Sequence, residues 1–230
     1  MGPVSEDLPV ARRWAVGALL VMTFSTGLVD AVSFLRLGHV FVANMTGNVV
    51  FLGLSVVPEY GLPVVAPLVA MAAFVLGAFL GGQLSRFLGH RPRRWLGGAF
   101  AGQAALLALT AVLVGTGVLR VGGRPALTVI GLLGFCFGLQ NATVRLLAPR
   151  DLTTTVLTQT LTALTAQSVL GAGTGSLPRR KVASLLAMCA GAAVGALLLQ
   201  VTTTGVIGLA AVLVACAAGL FVLAPEPPPG

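Results

Sequence analysis

Residues 27–54 read GLVDAVSFLRLGHVFVANMTGNVVFLGL. They place a carboxylate, Asp30, in the last turns of a long apolar run, then open a second apolar run with Asn44, Thr46 and Asn48. A version of the pattern returns at residues 138–165 as GLQNATVRLLAPRDLTTTVLTQTLTALT. The pair points to a polar site inside a membrane protein. It does not name the solute.

Working outward, the whole chain is apolar. It is 57% hydrophobic and 9% charged, with a mean hydropathy of +0.99, where a soluble domain is about one quarter charged. Several runs reach the roughly 18–20 apolar residues that mark a membrane-spanning helix. They do not alternate as barrel strands would, so an all-α membrane protein is expected. The net charge of +8 raises nucleic acid as a partner. The cations, however, sit in short loops between apolar runs, where positive charge orients a membrane protein, and no nucleic-acid role is expected. Cys136, Cys189 and Cys216 fall inside apolar runs without CxxC spacing and read as small buried hydrophobes.

Eight apolar segments are expected, at about 14–36, 40–57, 64–86, 95–118, 126–147, 152–171, 182–200 and 205–223. Residues 1–11, with Pro3, Pro9 and an acidic Ser-Glu-Asp run, read as a disordered tail. The first run is too long for a signal-peptide core and reads as an uncleaved helix. Residues 12–223 form one transmembrane domain with short connections, and the Pro-rich tail 224–230 cannot continue a helix. Within that domain, Gly27-Leu28 and Asp30-Ala31 correspond to Gly138-Leu139 and Asn141-Ala142. The run Met45–Asn48 corresponds to Leu157–Thr160, and Gly77-x-x-x-Gly81 to Gly191-x-x-x-Gly195. Three matches in order predict a duplication, with repeat 1 at about 12–120 and repeat 2 at about 124–223.

Charge decides how the segments cross. If all eight span the membrane, the cations divide evenly between its two faces. If 40–57 and 152–171 instead enter and leave on one side, only Arg36, Arg120 and Arg124 of the 14 cations lie outside, as the positive-inside rule expects. A rival with only 152–171 re-entrant and the N-terminus outside is less biased and breaks the match between halves. The expectation is therefore about six transmembrane helices plus two re-entrant or broken segments, with both termini cytoplasmic in a cell membrane. Each half then holds three crossings, and the repeats are inverted, a common plan for transporters and channels.

The run VDAVSFLRLGHVFVANMTGNVVFLGL, with the later GLQNA and DLTTTVLTQTLTAL, resembles the YoaK family of bacterial membrane proteins. The likeness covers about Ala15 to Leu223, and its most specific element is NMTGN near an Asp-Ala pair. The resemblance implies about six transmembrane segments. It implies no established activity and carries over no catalytic residues.

Asp30 leads the candidates, because a carboxylate inside a membrane helix is costly unless it faces the bundle interior with a partner. It could bind a cation, a proton or a ligand. It could also pair with Arg36 or cap the next element. Asn44 or Thr46 can cap the second segment, Gly47 permits close approach, and Asn48 adds an amide. Asn141 is the counterpart of Asp30, with Gln140 beside it, and Thr155, Thr158 and Thr160 put hydroxyls at matching depth. Such neutral donors and acceptors suit a small polar solute or ion. Polar glue between helices is the competing reading, and Gln103 belongs with it. The Gly-x-x-x-Gly pairs at 77/81, 98/102, 134/138 and 191/195 read as close-packing surfaces. Neither His39 nor His90 has metal-ligand spacing, and no nucleophile–base pair or nucleotide-binding glycine pattern occurs. No metal, cofactor or enzyme activity is expected. The expected function is a transporter or channel-like permease, against a scaffold or accessory subunit. The lipid bilayer is the expected surrounding, and the sequence leaves room for a homo-oligomer.

Overall fold

The computed structural model describes residues 12–88, 92–121, 126–147 and 179–223. Among these the regular structure is helical: α1 (Arg12–Arg36), α2 (Met45–Leu54), a single 3-10 turn (Pro58–Tyr60), α3 (Val65–Leu88), α4 (Pro92–Gly115), α5 (Ala126–Leu147), α6 (Arg179–Leu198) and α7 (Thr203–Leu223). Five of them, α1, α3, α4, α5 and α7, are long and apolar enough to cross a membrane, and α6 adds a shorter apolar stretch, Val182–Leu198. The chain is an all-α membrane protein. The tails 1–11 and 224–230 and the segment 152–171 lie outside the described residues.

The second apolar run is helical over 45–54 only, shorter than the 40–57 that its composition suggests. The reason is local. α1 stops where Gly38 and His39 take positive φ, at 103° and 57°. The His39 N–H then returns to the Phe34 carbonyl at 3.2 Å, the closing bond of a glycine-ended helix. Residues 40–44 continue as irregular chain, and Val40, Val42 and Ala43 are buried. At 1.5 Å per residue, α2 reaches about 15 Å, half the hydrocarbon thickness.

Glycines set the helix pairs. α1 lies along α6, and α3 along α5. A Cβ on Gly27 would fall on the Met188 carbonyl oxygen, and one on Gly191 on that of Phe24; Gly195 lies against Leu28 and Ala31. In the other pair, a Cβ on Gly138 would fall on the Phe74 carbonyl oxygen and one on Gly77 on that of Phe135, while Gly81 lies against Leu139 and Ala142. Gly134 packs against the Ala70 carbonyl. Small residues let backbones touch here and give the dispersion contact that drives helix association in lipid. Gly98 and Gly102 differ from the other pairs: no atom of another element lies near either, so they are not a packing surface among the described helices.

These contacts give the chain directions. Numbers rise together along α1 and α6 and along α3 and α5, so each pair is parallel. At the end of the first pair, the Arg36 guanidinium donates to the Leu199 carbonyl at 2.8 Å. In the α4–α7 pair, Gly97 faces Val222 and Gly115 faces Thr204, so those helices are antiparallel. The turn 199–202 sets α7 against α6, and α4 therefore runs with α1. After α4 the chain folds back, with the Leu119 N–H bonded to the Leu113 carbonyl at 2.9 Å, so α5 runs against α4, and α3 runs with α5. Residues 37–64 accordingly begin and end at the same end of the bundle, and α2 packs on α3 from there.

The core is centred on α1, α4, α5 and α7, with Met22, Leu28, Phe100, Leu107, Ile130, Leu133, Phe137 and Ile207 all buried. Val75, Phe79 and Phe87 of α3 are exposed and form an apolar outer face suited to lipid. Cys136 is buried as expected, but Cys189 and Cys216 are exposed. A thiol in an apolar run is as well placed facing acyl chains as facing the core, and composition does not separate the two.

Candidate functional site

Asp30 sits in α1 two turns before its end and is 4% exposed. Its Oδ1 accepts the backbone N–H groups of Val42 at 3.1 Å and Ala43 at 3.0 Å, and its Oδ2 accepts the side-chain amide of Asn44 at 2.8 Å. The carboxylate therefore holds the irregular chain between α1 and α2, whose N–H groups have no helical partners to meet inside the bundle. Asn44 is the first residue before α2 but makes no side-chain cap, because its amide is directed at Asp30. Arg36 does not pair with Asp30; it is directed to Leu199.

Asn48 completes the fastening from the α2 side. It is fully buried. Its Oδ1 accepts the Phe41 N–H at 2.9 Å and its Nδ2 donates to the Phe41 carbonyl at 2.6 Å. One amide thus satisfies both backbone groups of one residue, as a neighbouring strand would. Gly47 explains itself in the same contact, since a Cβ there would lie 2.5 Å from Cδ2 of the Phe41 ring. That ring clusters with Phe34 at 5.3 Å and Phe51 at 5.9 Å, which lie 6.3 Å from each other. Thr46 is exposed in the first turn of α2 and does not join this knot.

A second polar group lies one turn earlier on α1. Thr26 precedes Asp30 by four residues, so both share a helix face. Its hydroxyl accepts Gln140 Nε2 at 3.3 Å, and Gln140 Oε1 accepts Gln103 Nε2 at 2.5 Å. Three helices, α1, α4 and α5, meet there through fully buried amides and a buried hydroxyl. Asn141, next along α5, donates to the Phe137 carbonyl of its own helix at 2.9 Å. The structure therefore brings together Asp30, Asn44 and Asn48 in one cluster and Gln140 in an adjoining one. Thr155, Thr158 and Thr160 lie outside the described residues. Thr26 and Gln103 were not among the expected site residues. The i, i+4 spacing from Asp30 marks Thr26, and Gln103 stands out as an amide amid apolar neighbours.

Among the described residues no group of three or more His, Cys, Asp or Glu side chains could hold a metal ion. An open apolar groove of about 650 Å³ runs between α4 and α7, lined by Gly97, Ala101, Ala108, Ala211, Ala215 and neighbours. It lacks polar side chains and has no chemistry to offer beyond shape.

Comparison with known proteins points to a membrane protein of one family. A family model described as a protein of unknown function, DUF1275, matches residues 18–220. The chain is 30% identical over 146 residues to UPF0700 transmembrane protein YoaK of Bacillus subtilis (strain 168), covering 64% of each chain. The alignment thus spans just under two thirds of that relative's length. No solved structure matches. With nearly its whole length inside the family model, the chain belongs to the DUF1275 family.

Proposed function

We propose that this protein is a transporter or channel-like permease for a small polar solute or ion, built as an inverted repeat in the cell membrane with both termini cytoplasmic. The observation that carries this reading is the broken segment 37–54, held inside the bundle by Asp30 and Asn48. Irregular backbone at membrane depth is tolerated where protein buries it or where it lines a cavity, and transporters place their sites at such breaks. Support for inversion comes from the helix pairs. The contacts of Gly27 with α6 have the same form as those of Gly138 with α3, and α4 and α7, the third crossing of each half, run in opposite directions.

In this reading Asp30, Asn44, Asn48, Gln140 and Asn141 line or frame the site, with Thr46, Thr155, Thr158 and Thr160 completing it. Movement is passive or coupled to an ion, with Asp30, the one carboxylate within the described α-helices, available to bind it. The protein acts without enzymatic chemistry, cofactor or nucleic acid. The test is uptake of a panel of small polar solutes into proteoliposomes, with Asp30→Asn and Asn48→Ala compared at matched folding. The wild type should exceed protein-free vesicles for at least one solute, and the folded variants should lose that excess. Equal flux through folded variants would sink the reading. A non-transporting scaffold is the second reading, favoured because Asp30, Asn44 and Asn48 all make hydrogen bonds to their own chain. It predicts no solute uptake by any form.

A further inference from the structure

The amide cluster between α1, α4 and α5 has an unfinished end. Hydrogen bonds run in one direction: Gln103 Nε2 donates to Gln140 Oε1, Gln140 Nε2 donates to Thr26 Oγ1, and the Thr26 hydroxyl donates to the Met22 carbonyl. The chain of donors terminates at Met22. At its other end, Gln103 Oε1 is buried and accepts nothing. Gln103 is 1% exposed and occupies the middle of α4, so bulk water does not serve it. A carbonyl oxygen in that position needs a donor.

We propose that Gln103 and Gln140 form a binding site for a small uncharged molecule that both donates and accepts hydrogen bonds. The chemistry of the pair sets the class. Gln103 Oε1 calls for an N–H or O–H, while each amide still carries a second N–H that calls for an acceptor. A bare cation would meet those N–H groups, and an anion would meet Oε1. The side chains drawn together at this point, Gln103, Gln140 and Thr26, bear no charge, so a neutral bifunctional molecule fits where an ion does not. Asp30 lies one turn away on the same face of α1, with its oxygens turned to Val42, Ala43 and Asn44. The site rests on the transport reading for its purpose, since it would then be the point where solute passes the three helices. Its ligand could be a resident water or the travelling solute, which share this chemistry.

The test has two readouts. The first is an experimental structure of the full chain in lipid, at a resolution that shows ordered water, with and without acetamide. Density within hydrogen-bonding distance of Gln103 Oε1 supports the site, and a bare oxygen in both preparations overturns it. The second is flux of water, glycerol and acetamide through proteoliposomes carrying wild type, Gln103→Met or Thr26→Val. Loss of about tenfold in the flux of one probe in Gln103→Met identifies a transit site. Density with flux unchanged supports a resident water. If Gln103→Met does not fold, Gln103→Asn keeps the amide and withdraws it from Gln140. If the wild type carries none of the probes, the transport reading loses its support, while density at Gln103 still decides the site.

Discussion

Asp30 answers three donors with two oxygens, so its neighbours and its replacements can be ranked. Asp30→Ala leaves the N–H groups of Val42 and Ala43 buried without acceptors and should cost about 3 kcal/mol or more. Asp30→Asn keeps one oxygen for those N–H groups but turns an amide toward the amide of Asn44, for a loss of about 1–2 kcal/mol. Denaturant unfolding in detergent micelles checks the order, and equal losses would remove the carboxylate from its place in the knot. Gly47→Ala pushes a methyl group into the Phe41 ring and should cost about 1–3 kcal/mol. In a Phe41→Ala background the same change should be nearly silent, a coupling that a double-mutant cycle measures. That Asp30, Asn44 and Asn48 must each find a partner was legible in the chain, because polar groups in apolar runs need one. Their partners were not legible, because those are backbone groups of Phe41, Val42 and Ala43, which every residue carries.

At the scale of the helix, four glycines do a job that two others do not. Gly27, Gly77, Gly138 and Gly191 each bring a backbone oxygen of the facing helix to where a Cβ would stand. Alanine at any of them must separate two helices and should cost about 2 kcal/mol or more. Gly98→Ala and Gly102→Ala meet open space and should lie within about 0.5 kcal/mol of wild type. Thermal melting in micelles of the six single variants separates the two groups. All four Gly-x-x-x-Gly pairs look alike as text. They divide only when the face that each helix turns to a neighbour is known, and an almost uniformly apolar helix has little amphipathic pattern to announce that face. The length of α2 was hidden for a related reason. Residues 40–44 are as apolar as a helix interior, and only Gly38 at the preceding turn signals that the chain leaves α1 to double back.

For the whole molecule, the helix directions make a prediction about sides. In a chain lacking Cys136, Cys189 and Cys216, single cysteines at Glu59, Thr116 and Val201 should react alike with an impermeant thiol reagent on intact cells. A cysteine at Arg86 or Arg94 should react only after lysis. Opposite behaviour of Glu59 and Val201 would break the pairing of α1 with α6. That the chain crosses a membrane was legible from the length of its apolar runs, five of which are long enough to span among the described residues. Which helix pairs with which was not, since the parallel partners come from distant parts of the chain. That remoteness has a consequence for biogenesis. The face of α1 around Gly27 is completed by α6, made only after most of the chain has been translated. At about 5–20 residues per second, the ribosome leaves that face without its partner for on the order of 10–30 s. The nascent first half therefore waits in the bilayer with an open seam, during which membrane chaperones and proteases have their chance at it.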